Sequence, residues 1–185
     1  MNVTVDLNQQ MLAQVQSRLE NLSNKAPNVL TSALNRTVTN VASNISKEVR
    51  KEYNIKAFDV KQTITKTKAS RTRMTAIVSS KGTPIPLDRF KLSPRAVQPK
   101  RKKPIKAGVK KGGLREVIGA FVSDLNGIKV FQREGKKRLP VKRLYGPSVP
   151  QMLGNQEVVN RINQEGALMF NNRINHEIER LLNRG

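Results

Sequence analysis

Residues 117–133 read Val-Ile-Gly-Ala-Phe-Val-Ser-Asp-Leu-Asn-Gly-Ile-Lys-Val-Phe-Gln-Arg, and this stretch decides the fold class. β-Branched and aromatic side chains dominate both arms, with Asn126-Gly127 between them. Asn-Gly supplies the two positive-φ residues of a type I′ turn, so a hairpin of 117–125 and 128–133 is predicted. A two-residue turn sets the register, with Leu125 opposite Ile128, Asp124 opposite Lys129 and Val122 opposite Phe131. The opposite charges of Asp124 and Lys129 favour that pairing. Upstream, 74–78 (Met-Thr-Ala-Ile-Val) predicts a strand that stops at Lys81-Gly82. Downstream, 139–145 predicts another, closed by Gly146-Pro147-Ser148.

Either side of this β-rich middle the period changes from two to that of a helix. Leu7, Met11, Leu12, Val15, Leu19 and Leu22 predict a first helix over 7–22, capped by Asp6 or Asn8. Pro27 suits the first turn of a second helix, which runs to about Tyr53. Its apolar face is Leu30, Leu34, Val38, Val41, Ile45 and Val49, while Thr31, Asn35, Thr39 and Ser46 face away. A short third helix is expected over 57–64. The last, over 156–183, presents Val158, Val159, Ile162, Met169, Phe170, Ile174, Ile178, Leu181 and Leu182, with Gly166 a weak point costing roughly 1 kcal/mol relative to Ala. The fold class is therefore α+β: long N-terminal and C-terminal helices packed on a small antiparallel sheet, with a long basic loop. One domain over 1–185 is expected, with helices in 1–66, the sheet in 70–146 with its basic loop in 91–114, and the last helix in 148–185. The apolar stripes of the second and last helices exceed what one small sheet covers, so part of them is expected between subunits.

Charge is stacked in the middle of the chain. Residues 1–46 have net charge +1 and residues 144–185 are neutral, whereas 47–143 hold 28 Lys/Arg against seven Asp/Glu. Self-repulsion at that density calls for an anionic neighbour. Arg95, Lys100, Arg101, Lys102, Lys103, Lys106, Lys110 and Lys111 follow one another without an intervening acid, in a stretch (84–114) rich in Pro and Gly and without clear periodicity. Such a block reads as a loop that a partner orders, whether an acidic protein or DNA. Lys136, Lys137 and Arg138, in the basic segment 133–143, extend the candidate contact set. Without a recognition helix or stacking aromatics, any DNA contact there would be made to phosphates and would be independent of sequence.

Candidate chemistry is sparse. The chain has no cysteine, which removes disulfides, thiolate metal sites and Cys nucleophiles together. His176, the single histidine, reads as a solvated residue on the polar side of the last helix. Glu48 and Glu52 sit among Lys47, Arg50 and Lys51 and, like Glu177 and Glu179, read as charge balancing along a helix. Gly112-Gly113 lacks Walker spacing or a dinucleotide fingerprint and reads as a hinge. No enzyme, cofactor or metal site is expected; a metal-dependent nuclease would need clustered acids, and those of the basic region are scattered. The first six residues lack the features of a signal peptide, and no apolar run nears the ~20 residues that span a bilayer, so no membrane association is expected.

Several of these segments together resemble a known family. They are Ala33-Leu34-Asn35-Arg36, Gly119-Ala120-Phe121-Val122, Asn126-Gly127, Val130-Phe131-Gln132-Arg133, Gly135 to Pro140, and Leu144-Tyr145-Gly146-Pro147-Ser148-Val149-Pro150. In that order and spacing, over roughly residues 30–182, they resemble the minor tail protein Z family of tailed bacteriophages and prophages. The resemblance does not extend to individual lysines of 95–111. Asn35, Gly119, Phe121, Asn126, Gly127, Phe131, Pro140, Tyr145, Gly146 and Pro147 read as positions that determine the fold, with Pro140 at a strand start and Ser148 capping a helical turn toward Leu153. The resemblance implies a virion protein made in the host bacterial cytoplasm, which completes the tail at its head-proximal end. Its implied partners are further copies of itself in a hexameric ring, tail terminator, tail tube or neck proteins, and packaged DNA. Composition alone suggests a different reading, a nucleic-acid-binding protein of ribosomal or nucleoid type. A gene placed among capsid, neck and tail genes separates the two.

Overall fold

The structure, a computed structural model, describes residues 2–6 and 9–183. The chain runs β1 (Asn2–Asp6), α1 (Gln9–Leu19), a 3-10 turn (Glu20–Lys25), α2 (Ala26–Glu52), α3 (Ala57–Lys61), β2 (Ile64–Thr67) and β3 (Thr75–Ser80). A second 3-10 turn (Leu87–Arg89) leads to β4 (Lys91–Ser93), β5 (Ile105–Gly108), β6 (Arg115–Val117), β7 (Ala120–Asp124), β8 (Ile128–Arg133) and β9 (Val141–Arg143). The helices α4 (Val149–Leu153) and α5 (Gln156–Leu182) complete it.

The frame is the α2–α5 pair. Pro27 lies in the first turn of α2, where a missing N–H does no harm, and Arg50 and Lys51 lie in the last, where they suit the helix dipole. Leu30, Leu34, Val38, Val41, Ile45 and Val49 are all buried. They meet Val158, Ile162, Phe170, Ile174 and Ile178 of α5, and α2 also touches β2 and β3. The α2 stripe is thus covered within one subunit, and so is the α5 stripe along Val158, Ile162, Phe170, Ile174 and Ile178, because the helices cover each other as well as a sheet; the expectation of burial between subunits is left only to the flank and end of α5, where Leu182 is 50% exposed. Ser46, expected to face away, is buried.

Charge reinforces this pairing. From α5, Arg161 reaches Glu48 at 2.8 Å and Glu52 at 2.9 Å, and Lys51 also pairs with Glu48. Glu177 of α5 is buried between Arg36 of α2 at 3.3 Å and Arg180 at 2.6 Å. Asn44 donates to Glu165 at 3.1 Å, and Arg18 of α1 to Asn175 at 2.7 Å. These acids were read as surface balancing along single helices; most of their partners come from the facing helix.

A Cβ on Gly166 would lie 3.3 Å from Val41 Cγ2, so the glycine admits the close approach of α2 and α5. Gly166→Ala is expected to be near neutral, because a helix-propensity gain of about 1 kcal/mol offsets that tight contact. Gly166→Leu should destabilise by about 1–3 kcal/mol through overpacking, and Val41→Ala should restore part of the loss. Urea unfolding of the single and double variants checks this; an unperturbed Gly166→Leu would contradict a tight crossing.

Three small antiparallel sheets replace the single one expected: β1-β3-β2, β4-β5-β6 and β7-β8-β9. Two of their strands fall in the segment read as N-terminal helices. Asn2–Asp6 pairs with β3, placing Val3 opposite Val78 and Val5 opposite Ala76. The expected helix start at Leu7 and cap at Asn8 lie outside the described residues, and Asp6 ends β1. The first helix gives way to a 3-10 turn after Leu19, where Glu20 adopts φ 45°. The third stops at Lys61, and Ile64 begins β2.

The β7–β8 hairpin differs from expectation by one residue. Asp124 faces Ile128, Ser123 faces Lys129, Val122 faces Val130 and Phe121 faces Phe131. The loop is therefore Leu125-Asn126-Gly127, with Asn126 at φ 55° and Gly127 at φ 101°. Leu125 N–H donates to Gly127 C=O at 3.2 Å, the Asp124 carboxylate accepts from Gly127 N–H at 3.0 Å, and Lys129 Nζ donates to Leu125 C=O. Asp124 and Lys129 thus serve the turn instead of each other. The slip puts Val122 and Val130 together in the core and pairs Phe121 with Phe131 at 6.2 Å between ring centroids.

Candidate functional site

The cationic region is built on the second and third sheets. Residues 84–143 hold 18 Lys/Arg against four Asp/Glu. Three of those four acids are engaged: Asp88 with Arg143 at 2.9 Å, Glu116 with Lys106 at 3.5 Å and Asp124 in the hairpin turn.

The expected structureless loop 91–114 contains β4 and β5. Ile85, Leu87, Phe90, Ile105 and Ala107 bury their side chains and tie this basic segment to the core. The end of α2 is stitched to it: Asn54 N–H donates to Val109 C=O at 2.8 Å, Lys111 N–H to Glu52 C=O at 2.7 Å, and Asn54 Nδ2 to the carbonyls of Gly108 and Lys110, both at 3.0 Å. Backbone pairing and buried apolar anchors therefore oppose the self-repulsion of the lysines.

The cations differ in what holds them. Arg101, although exposed, bends back onto its own loop, donating through Nε to Lys103 C=O at 2.9 Å, through Nη1 to Gln98 Oε1 at 3.1 Å and through Nη2 to Pro104 C=O at 3.2 Å. Its fork organises the 98–104 loop, so its hydrogen-bonding capacity is largely spent within the chain. Lys106 meets Glu116 directly across β5 and β6. Lys110 Nζ stands 6.0 Å from the centre of the Tyr53 ring. Arg95, Lys100, Lys102, Lys103 and Lys111 are exposed.

Three clefts divide the set. Arg101, Lys102 and Lys103 share a cleft of about 660 Å³ with Arg133 and residues 118–123. Lys110 and Lys111 line another, beside Gly112 and Gly113, whose φ values are 100° and 148°. Arg95 joins Lys56, Arg89, Lys129 and Arg143 in a third, around Asp88. Lys136, Lys137 and Arg138 project from the exposed β8–β9 connection, where Arg138 C=O accepts from Arg133 Nη1 at 3.1 Å. The eleven expected contact residues are thus several patches on two sheets.

The positions read as fold-determining have visible tasks. The Asn35 amide accepts from Ala69 N–H at 2.8 Å and donates to Ala69 C=O at 3.1 Å, fastening α2 to the chain between β2 and β3. Gly119 takes φ 73° at the entry to β7. A Cβ on Gly146 would come within 2.6 Å of the Phe90 ring, while Gly146 N–H donates to Ile85 C=O at 2.7 Å. Tyr145 bridges to Pro86 under Arg143, Pro140 immediately precedes β9, and Pro147 precedes Ser148. Ser148 closes a capping box with Gln151 at the start of α4.

His176 is exposed, and among the described residues no group of three or more His, Cys, Asp or Glu is placed to hold a metal ion. Among the same residues no helix is long and apolar enough to cross a membrane.

Fold and surface define a class: an α+β protein with a strongly cationic sheet region mounted on a helix-pair core. The chain belongs to the prophage minor tail protein Z family, which matches residues 11–184. It is a structural protein of the phage tail, and so of the virion. No curated protein and no solved structure matches it.

Proposed function

We propose that this protein completes the tail at its head-proximal end, assembling there as a ring and using its cationic sheets to clamp acidic faces of neighbouring tail or neck proteins. The family match over nearly the whole chain supports the tail role. The clamp rests on one observation: Lys100, Lys102 and Lys103 stand exposed together in the β4–β5 loop, and β5, which follows it, is anchored to the core by Ile105 and Ala107. A cationic loop tethered to an anchored strand loses less freedom on docking to an acidic surface than a free tail would, and its charge steers the approach. Ring contacts are left to apolar side chains outside the core, among them Phe58, Leu139 and Leu168, which are 66–70% exposed.

The test replaces Lys100, Lys102 and Lys103 by Gln together in the prophage, leaving Arg101 to hold its loop. The expected outcome is lysates whose tails fail to form or to join heads, seen by electron microscopy before any DNA is released. Normally joined particles with abnormal DNA retention would overturn the clamp and place the charge against DNA.

A further inference from the structure

The cleft between the 94–104 loop and the third sheet has a composition the electrostatic clamp does not require. Its rim is cationic, with Arg101, Lys102, Lys103 and Arg133, but its lining is apolar: Val97, Ile105, Ile118, Phe121 and Val122. Ile118 is 80% exposed and Val97 40% exposed, so apolar surface stands open inside a ring of positive charge. Residues 118–123 line the cleft, and the last four of them, 120–123, are consecutive residues of β7. Successive side chains of a strand point to opposite faces, so a consecutive run means that the strand's edge, and not one of its faces, borders the space. That strand, β7, is an edge strand of its sheet, hydrogen-bonded only to β8. Every second residue of an edge strand presents N–H and C=O groups outward.

Resting on the tail-protein reading, we infer that this cleft receives an extended acidic segment of another virion protein, which adds a strand to the open edge of β7 and buries an apolar side chain against Ile118 and Val97. Backbone pairing supplies affinity, while the alternate side chains of the segment meet the apolar lining and the cationic rim. Charge complementarity argues for an acidic occupant. A second copy of this chain does not fit, because its one alternation of acidic with apolar residues, Glu177-Ile178-Glu179, is wound into helix α5 with Glu177 and Ile178 buried. Nucleic acid fits less well, because the one aromatic ring of the cleft is occupied: the Arg133 guanidinium lies 5.3 Å from the centre of Phe121, where a base would stack.

The experiment uses the full-length protein and three probes of equal charge: a peptide alternating Glu with Val and Leu, an oligo-glutamate, and a single-stranded oligonucleotide. Fluorescence anisotropy is expected to show the alternating peptide binding more tightly than either other probe, with affinity falling as salt rises. Amide exchange within 120–124 should slow when it is bound. Ile118→Asp, at an exposed position where folding is checked by circular dichroism, should weaken the alternating peptide by about tenfold or more, as expected for losing burial of an apolar side chain. Lys102→Glu with Lys103→Glu should weaken the alternating peptide and the oligo-glutamate alike. Equal binding of all three probes with no effect of Ile118→Asp, or tightest binding of the oligonucleotide, overturns the inference. Such a result leaves the clamp standing if the triple Gln variant still blocks tails; normal tails from that variant would sink the clamp separately.

Discussion

Ile45→Ala and Ile162→Ala should each lower the unfolding free energy of the isolated chain by about 2–5 kcal/mol, the range for truncating a fully buried Ile in a core that relaxes only partly. Both side chains are at most 2% exposed, in the helices α2 and α5 that form the central pair. The loss should be the same at every protein concentration, because the facing surfaces belong to one chain. Urea midpoints measured over a wide concentration range distinguish this from a stripe shared between subunits. In that case mass action would make the wild-type midpoint rise with concentration, and the truncations would act mainly on association.

Breaking the polar clasp between the same helices should separate its members by burial. Glu48 is 2% exposed while Arg161 is about one-third exposed, so a lone Arg161 can turn to water and a lone Glu48 cannot. Glu48→Gln is therefore expected to destabilise by about 1–3 kcal/mol, the loss of charged hydrogen bonds in a buried setting. Arg161→Gln should destabilise more, since it leaves the buried carboxylate with Lys51 alone. Burial pushes the Glu48 carboxyl up, but hydrogen bonds from Lys51 and Arg161, with their charges, outweigh it and hold its pKa below the ordinary value. A lowered folded value means that the contribution is complete above the unfolded pKa and disappears as pH falls through the folded one. The difference in urea midpoint between wild type and Glu48→Gln should accordingly shrink in acid. A difference that stays constant or widens would show that the carboxylate is not held charged by its partners.

The helices were legible because their apolar residues recur at regular spacing and their ends are marked, by Pro27 in α2 and by the Ser148 cap in α4. The hairpin was legible from Asn126-Gly127, but its register was not. Two-residue and three-residue turns both accommodate that pair, and the choice fell to the joint burial of Val122 and Val130. Strand β5 left a faint signal, since Ile105, Ala107 and Val109 alternate with Lys106, Gly108 and Lys110. Lysines on either side masked the alternation, and a strand of four residues is too short to stand out by pattern. Val3 and Val5 in β1 left the same kind of trace.

Of the candidate site, the chain's linear order shows the charge but not its division of labour. Arg101 and Lys102 are neighbours with the same charge and both are exposed, yet only Arg101 is bonded to backbone carbonyls of its own loop. Likewise Glu48 and Glu177 look like surface acids until a facing helix brings Arg161 and Arg36 to them. Composition, period and turn chemistry are local properties, so residues in sequence suffice to settle the α+β class, the helix bounds to within a few residues and the concentration of charge in the middle of the chain. Register, burial of a charge and the cleft along β7 arise from segments far apart in the chain. The loop 94–104 meets β7, and α5 meets α2 more than a hundred residues away, so only the packed structure decides which polar groups face water and which face each other.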